Sequence, residues 1–317
     1  MLTLLTFTPL AGVLLLWLVP ATAVRAVGRI VSALVLGQVI ALLFRFDSSS
    51  GAIQFVEKAA WIPSLSVDYF VGVDGLGLLL VALSALLVPF ALEIAGPERA
   101  SDRSFCTLVL ILQAGLLGTF TALNFIHWFL YWELSLVPAY FLIKLWGREE
   151  RRAVATQFFV YTFGGSVAML LAMQGVFLAA GTFDLIQLRD LAVSGELGRL
   201  VVAKFPVASS GLPLLLFLGV FVGLAVKVPL FPFHGWLAPT YASAPPSVTL
   251  LLTGAMSKMG VYGFLRILLP VFPEQTRTLL GPLVALAVIT ILFAALAALA
   301  QPNLRRMLAY SSMNHLG

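Results

Sequence analysis

Charged side chains are scarce in this chain. They make up 10% of its 317 residues, whereas hydrophobic residues make up 61%; an ordinary soluble domain carries about 25% charged residues. The mean hydropathy is +1.03. This composition excludes a soluble globular protein and indicates a polytopic membrane protein, so the net charge of +5 reflects membrane topology and not nucleic-acid binding.

The chain has one cysteine and three histidines, and it lacks the common nucleotide-binding motifs. Cys106 is the single cysteine, which excludes an internal disulfide and a cysteine-based metal cluster. The sequence contains no Walker motif and no G-x-G-x-x-G fingerprint. No Ser/His/Asp constellation stands out, and the three histidines lack the spacing of metal ligands. We therefore expect no cofactor and no metal in this chain.

Long apolar runs, by contrast, fill the sequence. A bilayer span needs about 20 apolar residues, so the runs predict an all-α polytopic membrane protein with about nine full transmembrane helices and the start of a tenth near residue 305. Two longer outer segments cover 46–74 and 181–210, and Phe183, Ile186 and Leu191 predict a short interfacial amphipathic helix in the second. The predicted spans are 2–19, 28–45, 75–94, 105–123, 125–145, 154–180, 211–227, 246–269 and 280–300.

Positive charges concentrate in two short loops, 95–104 and 146–153. These loops contain Arg99, Arg103, Arg148, Arg151 and Arg152. Because short cytoplasmic loops are enriched in Lys and Arg, we expect them on the inner side and the N-terminus outside.

Three ionisable residues interrupt otherwise apolar helices: Glu133, Lys227 and Lys258. A charge at the bilayer centre costs about 2.5–3.5 kcal/mol on insertion scales, and such residues commonly mark ion or proton pathways. A buried lysine prefers to be neutral, and a nearby carboxylate restores its charge. The three residues therefore predict a path for protons in which Glu133 and Lys227 act as a switch.

Each of these residues also has a purely structural interpretation. Glu133 could be protonated and hydrogen-bonded to a neighbouring helix, and Lys227, at the end of its run, could extend to the inner surface. Lys258 lies about twelve residues from the start of its helix, which argues against such an extension. Small residues beside it predict close helix packing: Gly254, Gly260 and Gly263.

Prolines follow Lys227 at high density. Proline blocks helix propagation, and non-helical backbone is tolerated at membrane depth only where protein or water covers it. We therefore expect a helix broken near 227–245, at Pro229 and Pro232, facing the inside of the bundle, as in transporters that build sites at discontinuous helices. The prolines are Pro229, Pro232, Pro239, Pro245 and Pro246.

The histidines differ in value as proton carriers. His315 lies inside the tenth predicted span and is the candidate relay. His234, after the proline break, and His127, near the outer end of its span, are secondary candidates. A hydrogen-bonded structural histidine is the favoured interpretation for His127.

Several sequence strings resemble the antiporter-like membrane subunits of proton-translocating NADH:quinone oxidoreductase (complex I), and in particular chain M, the mitochondrial subunit 4 type. The resemblance covers about residues 70–317. The strings are Tyr131-Trp-Glu133-Leu with Pro138, Trp146-Gly-Arg, Tyr161-Thr-Phe-Gly-Gly-Ser166, Lys227-Val-Pro-Leu-Phe-Pro-Phe-His-Gly-Trp-Leu-Ala-Pro, Ser257-Lys258-Met-Gly-Val-Tyr-Gly-Phe-Leu-Arg and Asn303-Leu-Arg-Arg-Met-Leu-Ala-Tyr-Ser-Ser-Met-Asn-His315.

The resemblance implies a fourteen-helix subunit built from two inverted five-helix repeats. It implies that Glu133 and Lys227 form the modulating ion pair, that Lys258 is the central relay and that His315 links onward. Residues 1–103 would be N-terminal helices 1–3, 104–270 the first repeat and 271–317 the start of the second, so we expect a C-terminally truncated subunit. Family members often carry Pro-Asp where this chain has Ala238-Pro239-Thr240.

The resemblance also implies partners and a location. NADH, FMN, iron–sulfur clusters and the quinone would be bound by partner subunits, and this translocase subunit would have no redox site of its own. Its partners would be other membrane-arm subunits, including neighbouring antiporter-like subunits, and the lipid of a bacterial inner membrane. Alternatives are the D-type subunit of a multisubunit cation/proton antiporter, the membrane subunit of an energy-converting hydrogenase, and a structural or assembly subunit with a vestigial path.

Overall fold

Apolar runs of this length can satisfy their backbone groups in a membrane only as helices or closed barrels, and this chain forms helices. A computed structural model describes residues 1–206 and 211–317; residues 207–210, the end of the predicted outer segment 181–210, lie outside the described residues. In chain order the helices are α1 (Leu2–Leu18), α2 (Val24–Arg45), α3 (Gly75–Ile94), α4 (Gly96–Ala100), α5 (Arg103–Thr121), α6 (Phe125–Trp146), α7 (Arg151–Ala180), α8 (Leu185–Val193), α9 (Glu196–Lys204), α10 (Leu212–Lys227), α11 (Leu237–Ser243), α12 (Pro246–Leu251), α13 (Ser257–Gly263), α14 (Leu269–Val271), α15 (Pro273–Thr278), α16 (Leu280–Leu299) and α17 (Leu304–Leu316).

Every predicted span contains a helix, so the all-α polytopic membrane fold is confirmed. Among the described residues, seven helices are long and apolar enough to cross a bilayer, and α1 and α10 are shorter apolar helices. The apolar window of α5 is 78% buried and that of α16 only 11%. The core of the bundle therefore lies around α5, and α16 lies at its edge.

A β-hairpin, which the sequence did not lead us to expect, occupies most of the outer segment 46–74. Strand β1 (Gln54–Ile62) pairs antiparallel with β2 (Val67–Val73), and Lys58 faces Phe70 across the pair. The exposure of β1 explains the missed strand, because it lacks the apolar alternation that marks a half-buried strand. We call the end of the bundle that carries this hairpin the hairpin surface, and the other end the opposite surface.

The predicted amphipathic helix is present as α8, on the hairpin surface. Asp184 caps it, because its side chain accepts a hydrogen bond from the backbone N–H of Ile186 at 2.9 Å. Its buried face consists of Leu185, Leu188 and Ala192, so Ile186 lies at the edge of that face and not at its centre. A second short helix, α9, follows α8 and was not predicted.

The predicted break after Lys227 is confirmed. Helix α10 ends at Lys227, and the chain turns through 228–236 before α11 begins. Two hydrogen bonds hold the turn: the indole N–H of Trp236 donates to the carbonyl of Val226 at 2.9 Å, and the backbone N–H of Phe231 donates to the Thr290 hydroxyl at 3.1 Å. Residues 228–230 and Trp236 are buried, whereas Pro232 and Gly235 are exposed, so the described chain covers part of this non-helical backbone.

The helix that carries Lys258 is continuous but irregular. Helices α12, α13 and α14 are joined by π-helical segments at Leu252–Met256 and Phe264–Leu268, and we call the whole stretch, Pro246–Val271, the Lys258 helix. It packs closely on the helix break, since a Cβ at Gly260 would lie 2.6 Å from the Val228 side chain and 3.1 Å from its backbone nitrogen. The predicted close packing at the glycines is therefore confirmed, and it places Lys258 one helix layer from Lys227.

Candidate functional site

Lys227 lies deep in the bundle and is not extended to a surface. It is 3% exposed, and its ammonium has no hydrogen-bond partner among residues 1–206 and 211–317. The ammonium lies 4.8 Å from the ring centroid of Trp132. An aromatic face attracts a cation within about 6 Å, so the Trp132 ring is the group that steadies the Lys227 charge.

The direct ion pair that we expected between Glu133 and Lys227 is not formed. Within the described residues their charged atoms do not come within the roughly 4 Å of an ion pair, although they interact electrostatically at longer range. Trp132 connects them: its indole N–H donates to the Ser166 hydroxyl at 2.9 Å, and Ser166 lies beside the Glu133 carboxyl. Coupling through one water stays a prediction.

A small void joins Lys227 to the Lys258 helix. Its volume is about 10 Å³, and Lys227, Tyr241 and Ser257 line it together with apolar side chains. That is about the space one water needs, and the three polar groups supply its partners. The hydroxyl of Tyr241 lies beside those of Ser257 and Ser312, so Tyr241 reaches from the void towards the next cavity.

Lys258 and His315 line a second, much larger cavity of about 800 Å³. Each lies about twelve residues, or roughly 18 Å, from the opposite-surface end of its helix, so the two residues are at similar depth. The ammonium of Lys258 donates to the carbonyl of Thr253 at 2.5 Å, and the Ser257 hydroxyl donates to the same carbonyl at 2.8 Å. Thr253 belongs to the first π-helical segment, and such segments are frequent at functional sites.

The Lys258 cavity continues to the opposite surface. A third cavity, of about 1070 Å³, lies between Arg148, Ser243 and Asn303. It shares two lining residues, Leu304 and Arg305, with the Lys258 cavity. The two cavities are therefore neighbours, and Lys258 and His315 lie in the one that is farther from the opposite surface and has a mostly apolar wall.

The two other histidines lie away from these cavities. His127 is 4% exposed, near the hairpin surface, and packs against Trp61, Tyr69 and Tyr131. Its Nδ1 atom has no hydrogen-bond partner in the described part of the chain, whereas the backbone of Phe70 lies beside the ring; the interpretation of His127 as a hydrogen-bonded structural histidine stays a prediction. His234 lies in the helix break between the rings of Phe231 and Phe293.

Of the residues around the charged groups, Tyr241 carries no sequence signal, whereas Trp132, Ser166 and Ser257 lie within the strings that resemble complex I but were assigned no role. Aromatic and hydroxyl side chains are common in membrane helices, and serine there often hydrogen-bonds a carbonyl one turn earlier, as Ser166 does to Thr162 at 3.0 Å. One clue was available: Trp132 directly precedes Glu133. The role of Tyr241 becomes visible only when the break brings α11 beside the Lys258 helix.

Comparison with known proteins decides which family this architecture represents. The family model described as NADH:quinone oxidoreductase/Mrp antiporter, transmembrane, matches residues 122–317, the part that contains Glu133, both lysines and His315. The chain belongs to this family. The resemblance to chain M of complex I is confirmed by the relatives.

Individual relatives carry the match through the N-terminal helices. Subunit M of the NADH-quinone oxidoreductase of Rhodobacter capsulatus is 35% identical over 324 aligned positions, covering 100% of this chain and 62% of the relative. Subunit M of the F(420)H(2) dehydrogenase of Methanosarcina mazei is 37% identical, covering 92% of this chain and 58% of the relative. A chain of respiratory complex I from Thermus thermophilus, a structure with bound NADH, superimposes with a TM-score of 0.81 at 28% identity, covering 100% of this chain and 63% of that one. The chain thus spans about three fifths of the length of these relatives.

Proposed function

We propose that this chain is part of a membrane-arm subunit of a complex I-type NADH:quinone oxidoreductase and carries protons through Glu133, Lys227, Lys258 and His315. The observation that supports this most is the series of cavities between Lys227 and the opposite surface, which Lys258 and His315 also line. The series passes the void beside Tyr241, the Lys258 cavity and the surface cavity at Arg305. A structural subunit with a vestigial path would have no need to keep Lys227 at the inner end of this series and Lys258 within it.

The proposed roles follow from what each side chain touches. Water from the opposite surface brings protons to Lys258. The Lys258 amine is protonated and deprotonated while it lies beside the Thr253 carbonyl. His315 exchanges protons with Lys258 across their shared cavity. Tyr241 connects Lys258 to Lys227 through its hydroxyl and the water-sized void. The charge on Glu133, acting at longer range past Trp132, sets how readily Lys227 holds its proton.

The sidedness of the path also belongs to this proposal. The short arginine-rich loops lie at the opposite surface, so the positive-inside rule places that surface in the cytoplasm of a bacterium and the N-terminus and hairpin outside. NADH, FMN, iron–sulfur clusters and quinone would be bound by partner subunits, and neighbouring antiporter-like subunits would flank this one in the membrane. The division into 1–103, 104–270 and 271–317 stays a prediction.

An antiporter subunit is the principal rival, because the family description names both protein classes. The two differ in what drives proton movement. We expect membrane vesicles that contain the assembled complex to acidify on addition of NADH and a quinone, and to show no proton flux when only a Na⁺ gradient is imposed. Proton flux driven by Na⁺ alone, with none from NADH, would assign the chain to an antiporter. Flux with another electron donor but not with NADH would assign it to a related dehydrogenase or hydrogenase.

A further inference from the structure

A cluster of cations lies at the opposite surface, where α6 ends and α7 begins. Lys144 is in the last turn of α6, and Arg151 and Arg152 are in the first turn of α7. With Leu145 and Thr156 they line an open cavity of about 460 Å³, separate from the proton path. We call these three cations and Thr156 the α6–α7 basic pocket.

The carboxylates nearest in sequence do not neutralise the pocket. Glu149 and Glu150 lie in the loop between the two helices, and neither belongs to any ion pair of the described residues. Unpaired cations gathered at one cavity repel one another and favour an anion between them. The pocket therefore has the charge of an anion site.

The pocket keeps hydrogen-bond donors free. Lys144 donates to the Tyr140 hydroxyl at 2.7 Å and lies over the Tyr140 ring, which uses one of its three donors. Arg151 uses its Nη1 atom on the carbonyls of Leu145 and Gly147, at 3.0 and 3.3 Å. Its other nitrogens and the exposed Arg152 guanidinium remain available, and guanidinium forks match phosphate oxygens.

Helices α6 and α7 pack side by side, and we call the seam between them that continues from the pocket the apolar groove. Thr156, Phe159 and Phe163 follow Arg152 at helical spacing, and the Phe159 and Phe163 rings are stacked, with centroids 5.4 Å apart. Exposed apolar side chains border the groove on both helices: Phe141, Leu145, Val160 and Phe163. Cations at the membrane boundary with an apolar groove above them fit an amphiphile with an anionic head.

We propose that the α6–α7 basic pocket binds the phosphate headgroup of an anionic phospholipid, whose acyl chains lie in the apolar groove. Basic pockets between helices on the cytoplasmic side of membrane proteins bind such headgroups. A free phosphate ion would share the headgroup chemistry. The groove favours the lipid, because a free ion makes no use of the apolar side chains.

The test uses the assembled complex with the full-length subunit and a photo-crosslinkable phosphatidylglycerol. Crosslinks to the peptide covering 137–163 are measured by mass spectrometry as a function of probe concentration. We expect saturable labelling that unlabelled phosphatidylglycerol displaces and phosphatidylcholine does not. In Lys144→Gln/Arg152→Gln the half-saturating concentration should rise about 30-fold, since each cation near an anionic lipid contributes about fivefold.

Two matched variants separate the headgroup interaction from folding and from net charge. Lys144→Arg/Arg152→Lys keeps the charge and should label within a few-fold of the wild type. Arg99→Gln/Lys204→Gln removes two charges elsewhere and should label normally. The proposal is overturned if the glutamine variant labels like the wild type, if phosphatidylcholine displaces the probe equally, or if the peptide is not labelled. Displacement by millimolar inorganic phosphate would assign the pocket to a free anion and overturn the lipid proposal.

Discussion

At the residue scale, Lys227 is the most constrained group of the proposed path. Its ammonium lies in the core against the Trp132 ring and has no hydrogen-bond partner in the described residues. A cation–π contact contributes about 2 kcal/mol when desolvated, which offsets only part of the cost of burying a charge. The protonation of Lys227 should therefore respond to small changes nearby: the charge on Glu133, or a water in the void.

Glu133→Gln tests that response. Glutamine keeps the size of the side chain and removes its charge. At an effective dielectric of about 20, charges some 5–10 Å apart interact by roughly 2–3 kcal/mol, so we expect proton pumping to fall by at least about tenfold. The measurement is NADH-driven vesicle acidification at equal complex content. Pumping at the wild-type rate would mean that the longer-range coupling between Glu133 and Lys227 has no function.

Tyr241→Phe tests the connection between the two lysines. Phenylalanine keeps the buried ring and removes only the hydroxyl that lies between the void and the Lys258 cavity. We expect assembly to be retained and the pumping rate to fall several-fold, because proton transfer then has to cross the gap without that group. Tyr310→Phe is the matched control, since Tyr310 lines neither cavity. Equal rates in the two variants would remove Tyr241 from the path.

At the element scale, the position of the Lys258 helix depends on its contact with the helix break. A Cβ at Gly260 would meet Val228, whereas a Cβ at Gly164 on α7 would meet nothing within 4 Å. We expect Gly260→Ala to lower the free energy of unfolding by about 1–3 kcal/mol, as overpacking does. Gly164→Ala should be neutral or slightly stabilising. Thermal unfolding in detergent measures both, and equal stabilities would show that this contact is loose.

Lys58 is one of several residues that hold the hairpin on the bundle. Glu57 also accepts hydrogen bonds from α1, and the carbonyl of Phe70 accepts one from the backbone N–H of Leu123 at 2.8 Å. The Lys58 ammonium donates to the buried carboxylate of Asp184 at 2.8 Å and lies 3.4 Å from Asp68. The hydrogen bond to Asp184 holds the pKa of Lys58 above its ordinary value. The stabilisation is therefore complete below about pH 10, the ordinary lysine value, and is lost as the pH rises through the higher value in the folded protein.

Lys58→Met should loosen the hairpin at neutral pH, because it removes the ion pair with Asp184 and leaves the other hairpin contacts in place. We expect proteinase K to cut within residues 46–74 faster in this variant than in the wild type at about pH 8, and at similar rates in both once the pH exceeds the raised pKa of Lys58. Arg45→Met is the control, since Arg45 contacts neither Asp184 nor Asp68. A wild-type cleavage rate in Lys58→Met at about pH 8 would mean that the contact of Lys58 with Asp184 and Asp68 does not hold the hairpin in place.

Among the elements, the sequence predicted the membrane spans, which hydropathy marks, and the helix break, which proline marks. Runs of apolar residues defined the spans, and the prolines after Lys227 defined the break, because both act locally. The hairpin was missed because β1 has little buried surface and therefore little pattern. Within the site, Glu133, Lys227 and Lys258 were selected because they are ionisable residues inside otherwise apolar runs. The Trp132 ring between the first two, and Tyr241 between the lysines, depend on how helices distant in sequence pack.

At the scale of the whole molecule, access to Lys258 is one-sided. The opposite surface reaches it through two joined cavities. Towards the hairpin surface, one turn along the same helix, the buried Tyr262 donates to the carbonyl of Phe120 at 3.2 Å. One turn further, Arg266 pairs with Asp74 at 2.6 Å. In the proposed path Lys258 is thus approached from the opposite surface, and Tyr262 and the Arg266–Asp74 pair lie between Lys258 and the hairpin surface.

The proposed path requires that Lys258 gains and loses a proton. Lys258→Arg keeps a positive charge and hydrogen-bond donors at this position, but a guanidinium does not deprotonate in proteins. The measurement is the number of protons translocated per NADH oxidised in vesicles that contain the assembled complex, with Lys204→Arg as a surface control. We expect the control to keep the wild-type ratio and Lys258→Arg to show a clearly lower one at normal assembly. A wild-type ratio in Lys258→Arg would mean that no proton passes through Lys258.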